Sequence, residues 1–236
     1  MVVEIDLKNY FDRDYFESHN KSNYGSYCDF PFFKDVAKFI YNKFLPRDVL
    51  EFGCARGFII RWLRRLGVDA HGVDISTYAV STAPDEVKPY LEIGDITNYN
   101  PIKRYDLVLC LETIEHVDPQ DTNKIVKCLF DSTEEYCLIS TPITSKEGTN
   151  DNEKDGDHSH INIHTKDYWV NKFKQVGFEV VFVKNISVPK TDITCLDDTT
   201  TWTMCNTFLL RVNRHTQTIN STVLRDKIHE VLGIKL

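Results

Sequence analysis

Asp48-Val49-Leu50-Glu51-Phe52-Gly53-Cys54-Ala55-Arg56-Gly57 is the stretch in which the chain changes from strand-like to helical. Val49, Leu50 and Phe52 make the short apolar run of a buried parallel strand, and Phe58 to Arg65 then reads as a helix. Gly53 and Gly57 lack a Cβ, so the backbone between them can turn sharply and approach a ligand closely. The unpaired N–H groups of the helix start point into the same space. The stretch therefore reads as a ligand-binding turn between a strand and a helix.

Outward from this turn, strands and helices alternate. Gly67 stops the first helix, and a second strand runs from Asp69 to Val73 and ends at Asp74. A third runs from Tyr90 to Ile93, followed by Gly94-Asp95-Ile96, and a fourth from Arg104 to Leu111. A helix from about Gln120 to Phe130 leads into a fifth strand, Tyr136 to Ser140. Upstream, Asp29 and Pro31 start a helix whose apolar face is Phe33, Val36, Ala37, Ile40 and Phe44. Downstream, Thr165 caps a helix that Gly177 ends, and Phe178 to Val183 and Thr203 to Val212 are the last strands. Such alternation predicts a parallel sheet with helices on both faces, binding its ligand outside the carboxyl ends of the strands. Gly53, Asp74, Asp95 and Leu111 all fall at those ends.

A chain of 236 residues and 27.4 kDa can bury one sizeable core, so residues 1–236 read as a single domain. Residues 1–28, rich in aromatics among polar residues, form an N-terminal cap; 145–164 is a polar substrate-side loop; 218–236 is a C-terminal helix. A net charge of −7 argues against non-specific nucleic-acid binding, and Arg61, Arg64 and Arg65 read as a solvated helix face. The seven cysteines are odd in number and form no Cys-x-x-Cys pair, which argues against a disulfide framework or zinc site and fits a reducing compartment. With a charged N-terminus and no apolar run of membrane-spanning length, the expected location is cytoplasmic, with no membrane partner.

The dinucleotide fingerprint Gly-x-Gly-x-x-Gly fails here, because Gly53-Cys54-Ala55-Arg56-Gly57-Phe58 lacks two of its glycines. NAD-dependent oxidoreduction is thus an alternative that shares Asp74 but lacks its turn. Glu51, Gly53, Cys54 and Gly57 instead resemble the first motif of class I S-adenosylmethionine (SAM) dependent methyltransferases, with Ala55 replacing the middle glycine. An alanine fits at negative φ and is troublesome at positive φ. The resemblance spans about residues 45 to 212. It implies a Rossmann-like, doubly wound α/β sheet of seven mostly parallel strands in the order 3-2-1-4-5-7-6, the last strand antiparallel. It also implies SAM as cofactor, held by Glu51, Gly53, Cys54, Ala55, Gly57, Asp74, Ile75, Asp95, Ile96 and Leu111. Asp74 would accept both ribose hydroxyls, and Asp95 the adenine amino group beside Ile96.

After the fourth strand comes Glu112-Thr113-Ile114-Glu115-His116. On a helical turn Glu112, Glu115 and His116 would share one face. This segment recurs in methyltransferases that modify small molecules. It also resembles the ligand set of metal-dependent enzymes that methylate RNA 2′-hydroxyls, so a divalent-metal site of Glu112, Glu115, His116 and His160 is an alternative, not the favoured one. Because an alcohol attacks only after losing its proton, a histidine base is expected: His160 first, with His116. The loop Asp157-His158-Ser159-His160-Ile161-Asn162 resembles that of methyltransferases acting on sugars or other small polar acceptors. The expected function is O-methylation of a small acceptor, a sugar or glycan, with nucleic acid disfavoured. A non-catalytic SAM-binding module is the remaining alternative.

Overall fold

The computed structural model describes residues 7–22, 25–148, 157–191 and 201–212. Its strands are β1 (Asp48–Phe52), β2 (Asp69–Asp74), β3 (Leu91–Ile93), β4 (Tyr105–Leu111), β5 (Thr133–Ser140), β6 (Ile143–Thr144), β7 (His164–Thr165), β8 (Phe178–Pro189) and β9 (Thr201–Val212). Seven of them form one sheet, ordered β3-β2-β1-β4-β5-β9-β8. The first five run parallel, and β9 lies antiparallel between β5 and β8. Counting only this sheet, the order is the expected 3-2-1-4-5-7-6. The short parallel pair β6 and β7 stands apart and was not expected, since two residues carry no periodicity. The expected helix over 218–236 lies outside the described residues.

The strand side chains alternate between two apolar layers, as the two-residue repeat requires. Val49, Leu107, Leu109 and Leu138 pack under α3 (Pro31–Phe44) and α4 (Phe58–Arg65). Leu50, Phe52, Val108, Cys110 and Ile139 pack on the other face, under α6 (Thr122–Ser132) and α7 (Lys166–Val176). Trp169 and Phe173 of α7 are wholly buried there, each contributing roughly 1.5–3 kcal/mol of hydrophobic stabilisation. The ends of α7 follow the sequence signals. Thr165 Oγ1 accepts the Tyr168 N–H at 3.2 Å, and Gly177 takes the left-handed conformation that stops the helix.

Cys54, Cys110, Cys128 and Cys137 are buried free thiols, and desolvation pushes each one up from its ordinary range. On α4, Arg61 pairs with Asp29 and Glu86, Arg64 with Asp69, and Arg65 with Glu86, so this basic cluster is neutralised locally. No helix among the described residues is long and apolar enough to cross a membrane.

The N-terminal segment forms α1 (Leu7–Tyr10) and α2 (Arg13–Glu17), which lie over the glycine turn. Tyr15 and Phe16 pack on Ala55 and on Ala79 of α5 (Thr77–Ser81). Polar ties fasten the same contact. Arg56 donates to the Tyr27 carbonyl at 2.7 Å and pairs with Glu17, and Ser76 Oγ donates to the Phe11 carbonyl at 2.5 Å.

Candidate active site

A cavity of about 820 Å³ opens at the carboxyl ends of β1, β2, β3 and β4. Glu51, Gly53, Cys54, Ala55, Asp74, Ile75, Asp95, Ile96 and Leu111, all expected from sequence, line it. Gly57 stands just behind, as the left-handed N-cap of α4, where no side chain caps the helix.

The two glycines of the turn are required for different reasons. Gly53 sits at φ +72°, and a Cβ there would lie 2.1 Å from Thr113 Oγ1. Gly57 sits at φ +69°, and its Cβ would meet Leu91 Cδ2 at 2.8 Å. Ala55 between them has φ +48°, so the positive-φ case holds and the alanine is strained. A left-handed L-residue costs roughly 1–2 kcal/mol. Opposing that cost, its methyl packs against the cap, where a buried methyl contributes ~0.8 kcal/mol, and alanine also restricts the unfolded chain by ~0.4–1 kcal/mol. These effects nearly cancel. Ala55→Gly is expected to change unfolding free energy by less than ~0.5 kcal/mol, measured by urea titration; a loss above ~1 kcal/mol would show that packing on the cap dominates.

Asp74 organises the turn. Its Oδ2 accepts the Ala55 N–H and its Oδ1 the Ser76 N–H, both at 2.7 Å. Burial raises this carboxyl, and the two hydrogen bonds oppose the rise without cancelling it. Glu51 is also buried, and its Oε2 has no hydrogen-bond partner. Desolvation, then repulsion from Asp74, pushes its carboxyl up to about 8. Glu51 lines the cavity, and a carboxylate buried there with an unsatisfied oxygen is a place for a ligand's cationic or hydroxyl donor. Asp95 makes a local turn, its Oδ1 accepting the Thr97 N–H at 2.8 Å.

The segment after β4 departs from expectation. Glu112 has φ +50°, which no continuing helix allows, and only the 3-10 turn Ile114–His116 follows. Glu112, Glu115 and His116 therefore do not share a helix face. Glu112 and His116 line the cavity, whereas Glu115 is buried and its Oε2 accepts from Thr141 Oγ1 at 3.0 Å. Burial, reinforced by Glu112, holds the Glu115 carboxyl well above its ordinary range. Its main-chain oxygen accepts the N–H groups of Ile161 and Asn162, both at 2.9 Å, and so brings the loop after residue 157 against the β4 end.

His160, expected first as the base, is not among the residues lining the cavity. Its ring stands 4.8 Å from that of His116, centroid to centroid, with Nε2 3.9 Å from Asp157 Oδ2. His164 lies farther along, stacked on Tyr168 and bonded to Glu147. Among the described residues, Glu115, His116 and His160 place ligand atoms within 4.8 Å of one another and could hold a cation; Glu112, expected as a fourth ligand, is outside that group.

Residues not singled out as functional in the sequence complete the site. His116 Nδ1 lies 2.8 Å from Ser159 Oγ, and Ser159 Oγ lies 2.5 Å from Asp157 Oδ1. Tyr15 donates to Asp157 Oδ2 at 2.8 Å. Burial alone would raise the Asp157 carboxyl; hydrogen bonds from Ser159 Oγ, Ser159 N–H and Tyr15 outweigh it and hold the group below its ordinary range. The lining also includes the apolar side chains of Phe11, Phe32, Phe33 and Met204 and the polar groups of Glu112, His116 and Ser140; of these, Phe11 packs edge-on against His116 with ring centroids 5.4 Å apart, and Phe33 packs on Tyr27 and Phe58 beside the glycine turn.

Comparison with known proteins agrees with this geometry. A ubiquinone biosynthesis O-methyltransferase of Paraburkholderia phytofirmans is 32% identical over 92 residues, 35% of this chain and 38% of the relative. One from Colwellia psychrerythraea is 29% identical over 97 residues, 37% of this chain and 38% of the relative. The matched segment thus spans well under half the length of these relatives. Among solved structures, magnesium protoporphyrin IX methyltransferase from Synechocystis with bound SAM superposes with a TM-score of 0.59 at 14% identity, covering 90% of this chain and 100% of that one. An O-methyltransferase from a Brevibacillus brevis polyketide multienzyme, in complex with S-adenosyl-L-homocysteine, gives 0.57 at 14% identity, covering 84% and 77%. At such identity these two show the fold alone. The model of the methyltransferase-domain family matches residues 26–183, more than half of the sequence, and the chain belongs to that family.

Proposed function

We propose that the chain is a single-domain SAM-dependent O-methyltransferase acting on a hydroxyl of a small acceptor with a flat, largely apolar body, a phenol in the simplest case. The observation that carries this reading is one cavity with two chemically different ends. The end at β1 to β3 offers what SAM requires. The Glu51 carboxylate suits its ammonium group, the remaining lone pairs of Asp74 suit the ribose hydroxyls, and Asp95 with Ile96 suits the adenine. Bound there, SAM supplies an electrophilic methyl group. The β4 end offers His116, with the rings of Phe11 and Tyr15 edge-on to it at 5.4 and 6.5 Å between centroids. Holding both reactants in one enclosed space supplies much of the rate by proximity. A phenol, with a pKa of about 10, gives up its proton to an imidazole far more readily than an aliphatic alcohol does. Short stretches resembling ubiquinone O-methyltransferases support the same class. A sugar hydroxyl is the second reading; it rests on the polar 145–164 loop, in which residues 149–156 lie outside those described.

The test is transfer from methyl-labelled SAM to panels of phenols, nucleotide sugars, oligosaccharides and short RNAs, with and without a chelator. Label on a phenolic oxygen is expected. Label on sugars alone would select the glycan reading, and chelator-sensitive label on RNA the metal-dependent one. SAM binding without transfer to any acceptor would leave a binding module, and NAD binding in place of SAM an oxidoreductase.

Glu51 gives this reading a pH signature. Its carboxyl must ionise to pair with a cation, so SAM should bind roughly tenfold more tightly for each pH unit gained below about 8, then level off. Stability of the free protein runs the other way. Between the ordinary carboxyl range and about 8 the folded state holds the extra proton, so the stability Glu51 contributes is lost as pH rises through about 8. Calorimetry on the parent and Glu51→Gln checks this: the variant should bind weakly with a flat pH profile, and an unchanged profile would remove Glu51 from the cofactor site.

A further inference from the structure

We propose that Ser159 and Asp157 are positioning residues that fix the tautomer of His116, presenting its Nε2 lone pair as the base; this rests on the O-methyltransferase reading above. The argument follows from counting protons. A serine hydroxyl carries one proton. Ser159 Oγ lies 2.5 Å from Asp157 Oδ1, an ionised carboxylate oxygen that can only accept, so the serine proton goes to Asp157. His116 Nδ1, 2.8 Å from the same Oγ, must then donate. The neutral ring is therefore protonated at Nδ1 and carries its lone pair at Nε2.

In the reaction the acceptor O–H bond breaks, its proton forms the Nε2–H bond, and the electron pair stays on the acceptor oxygen. The imidazolium then has both nitrogens donating, and Asp157 stabilises it through the Ser159 hydroxyl. His116 later returns the proton to solvent. Asp157 is itself held by the N-terminal segment, since its Oδ2 accepts from Tyr15 of α2. The N-terminal cap thus completes the relay as well as covering the cavity, which ties the orientation of the base to the seating of the cap. The loop bearing Ser159 is pinned to the β4 end independently, through Ile161 and Asn162 on the Glu115 carbonyl and Asn162 Nδ2 on the Ile114 carbonyl at 3.0 Å. Removing the serine hydroxyl therefore need not displace the loop.

The test uses the full chain and two readouts, one independent of any acceptor. Long-range nitrogen–proton NMR across a pH series should show, once the ring is deprotonated, the Nδ1–H tautomer of His116 in the parent and a shift toward Nε2–H in Ser159→Ala. With an acceptor found as above, Ser159→Ala and Asp157→Asn should lower kcat roughly 10- to 100-fold with KM and SAM affinity unchanged, and Ser159→Thr should restore most of the loss. An Nε2–H parent ring, a tautomer indifferent to Ser159→Ala, or an unchanged kcat would overturn the proposal. If no acceptor is ever methylated, the functional reading fails while the tautomer result still decides this geometry.

Discussion

Asp74→Ala is expected to abolish measurable SAM binding, a weakening of more than ~100-fold, because two hydrogen bonds to a charged carboxylate contribute about 1.5–3 kcal/mol each. The same carboxylate holds the turn in shape, through the Ala55 N–H on one oxygen and the Ser76 N–H on the other. Removing it leaves two backbone donors beside a buried site, so the free protein should lose about 1–3 kcal/mol of stability for each donor left dry. Loss of binding and loss of fold must therefore be separated. Asp74→Asn keeps the side-chain volume and one acceptor oxygen but turns an amide toward one of the two donors. It should fold with a modestly lower melting temperature and still bind SAM at least tenfold more weakly. Isothermal titration on samples shown to be folded by circular dichroism reads both effects. Unchanged affinity in either folded variant would sink the ribose assignment and move the cofactor contact elsewhere on the strand ends.

The parts legible in the sequence are those whose causes are local. The helix from Phe58 to Arg65 and the helix between Thr165 and Gly177 were expected with their observed ends, because a positive-φ glycine and a threonine cap act within a few residues. The strand order followed from the alternation of elements and the family resemblance, and the gathering of Glu51, Asp74, Asp95 and Leu111 around one cavity followed from their place at strand ends. What failed was also physical in origin. Nothing in Leu111-Glu112-Thr113 announces that Glu112 takes φ +50°, a conformation rare for glutamate, and that single residue turned an expected helix face into a 3-10 turn. The positive φ of Ala55 was equally hidden. Ser159 and Asp157 carry no functional signal in the sequence, because what joins them to His116 is one contact across 43 residues, from His116 to Ser159. The available clue was the Asp-x-Ser spacing next to the histidines, since an aspartate two residues before a serine commonly binds its backbone and hydroxyl together. The aromatic cap could be read from composition, but not which of its rings would line the cavity.

His116→Ala is expected to lower kcat by roughly 10²- to 10⁴-fold, the usual contribution of a general base, while leaving SAM affinity within about twofold of the parent. The separation is expected because His116 follows β4, whereas the groups proposed to hold the cofactor are at the ends of β1 to β3. His160 provides the control. It was the first choice from sequence, yet it stands behind His116, and the direct partner of the His116 Nδ1 is Ser159. His160→Ala should therefore cost less than about tenfold, through looser packing of the ring that lies 4.8 Å from it. Single-turnover measurement at saturating SAM isolates the chemical step from release of product. If His160→Ala proved the more damaging of the two, the base assignment would pass to His160, and the loop would have to move during turnover to bring that ring into the cavity. If both variants kept full activity, the acceptor hydroxyl would need no protein base, as expected for a phenol already ionised at the working pH. Where His116→Ala does lose activity, raising the pH should replace the missing base, and its kcat should recover toward the parent as the phenol's own pKa of about 10 is approached. A deficit that persists at high pH would show instead that the ring also orients the acceptor oxygen toward the methyl group. The pH profile of the variant thus separates proton removal from positioning, the two roles a histidine at this place in the cavity can have.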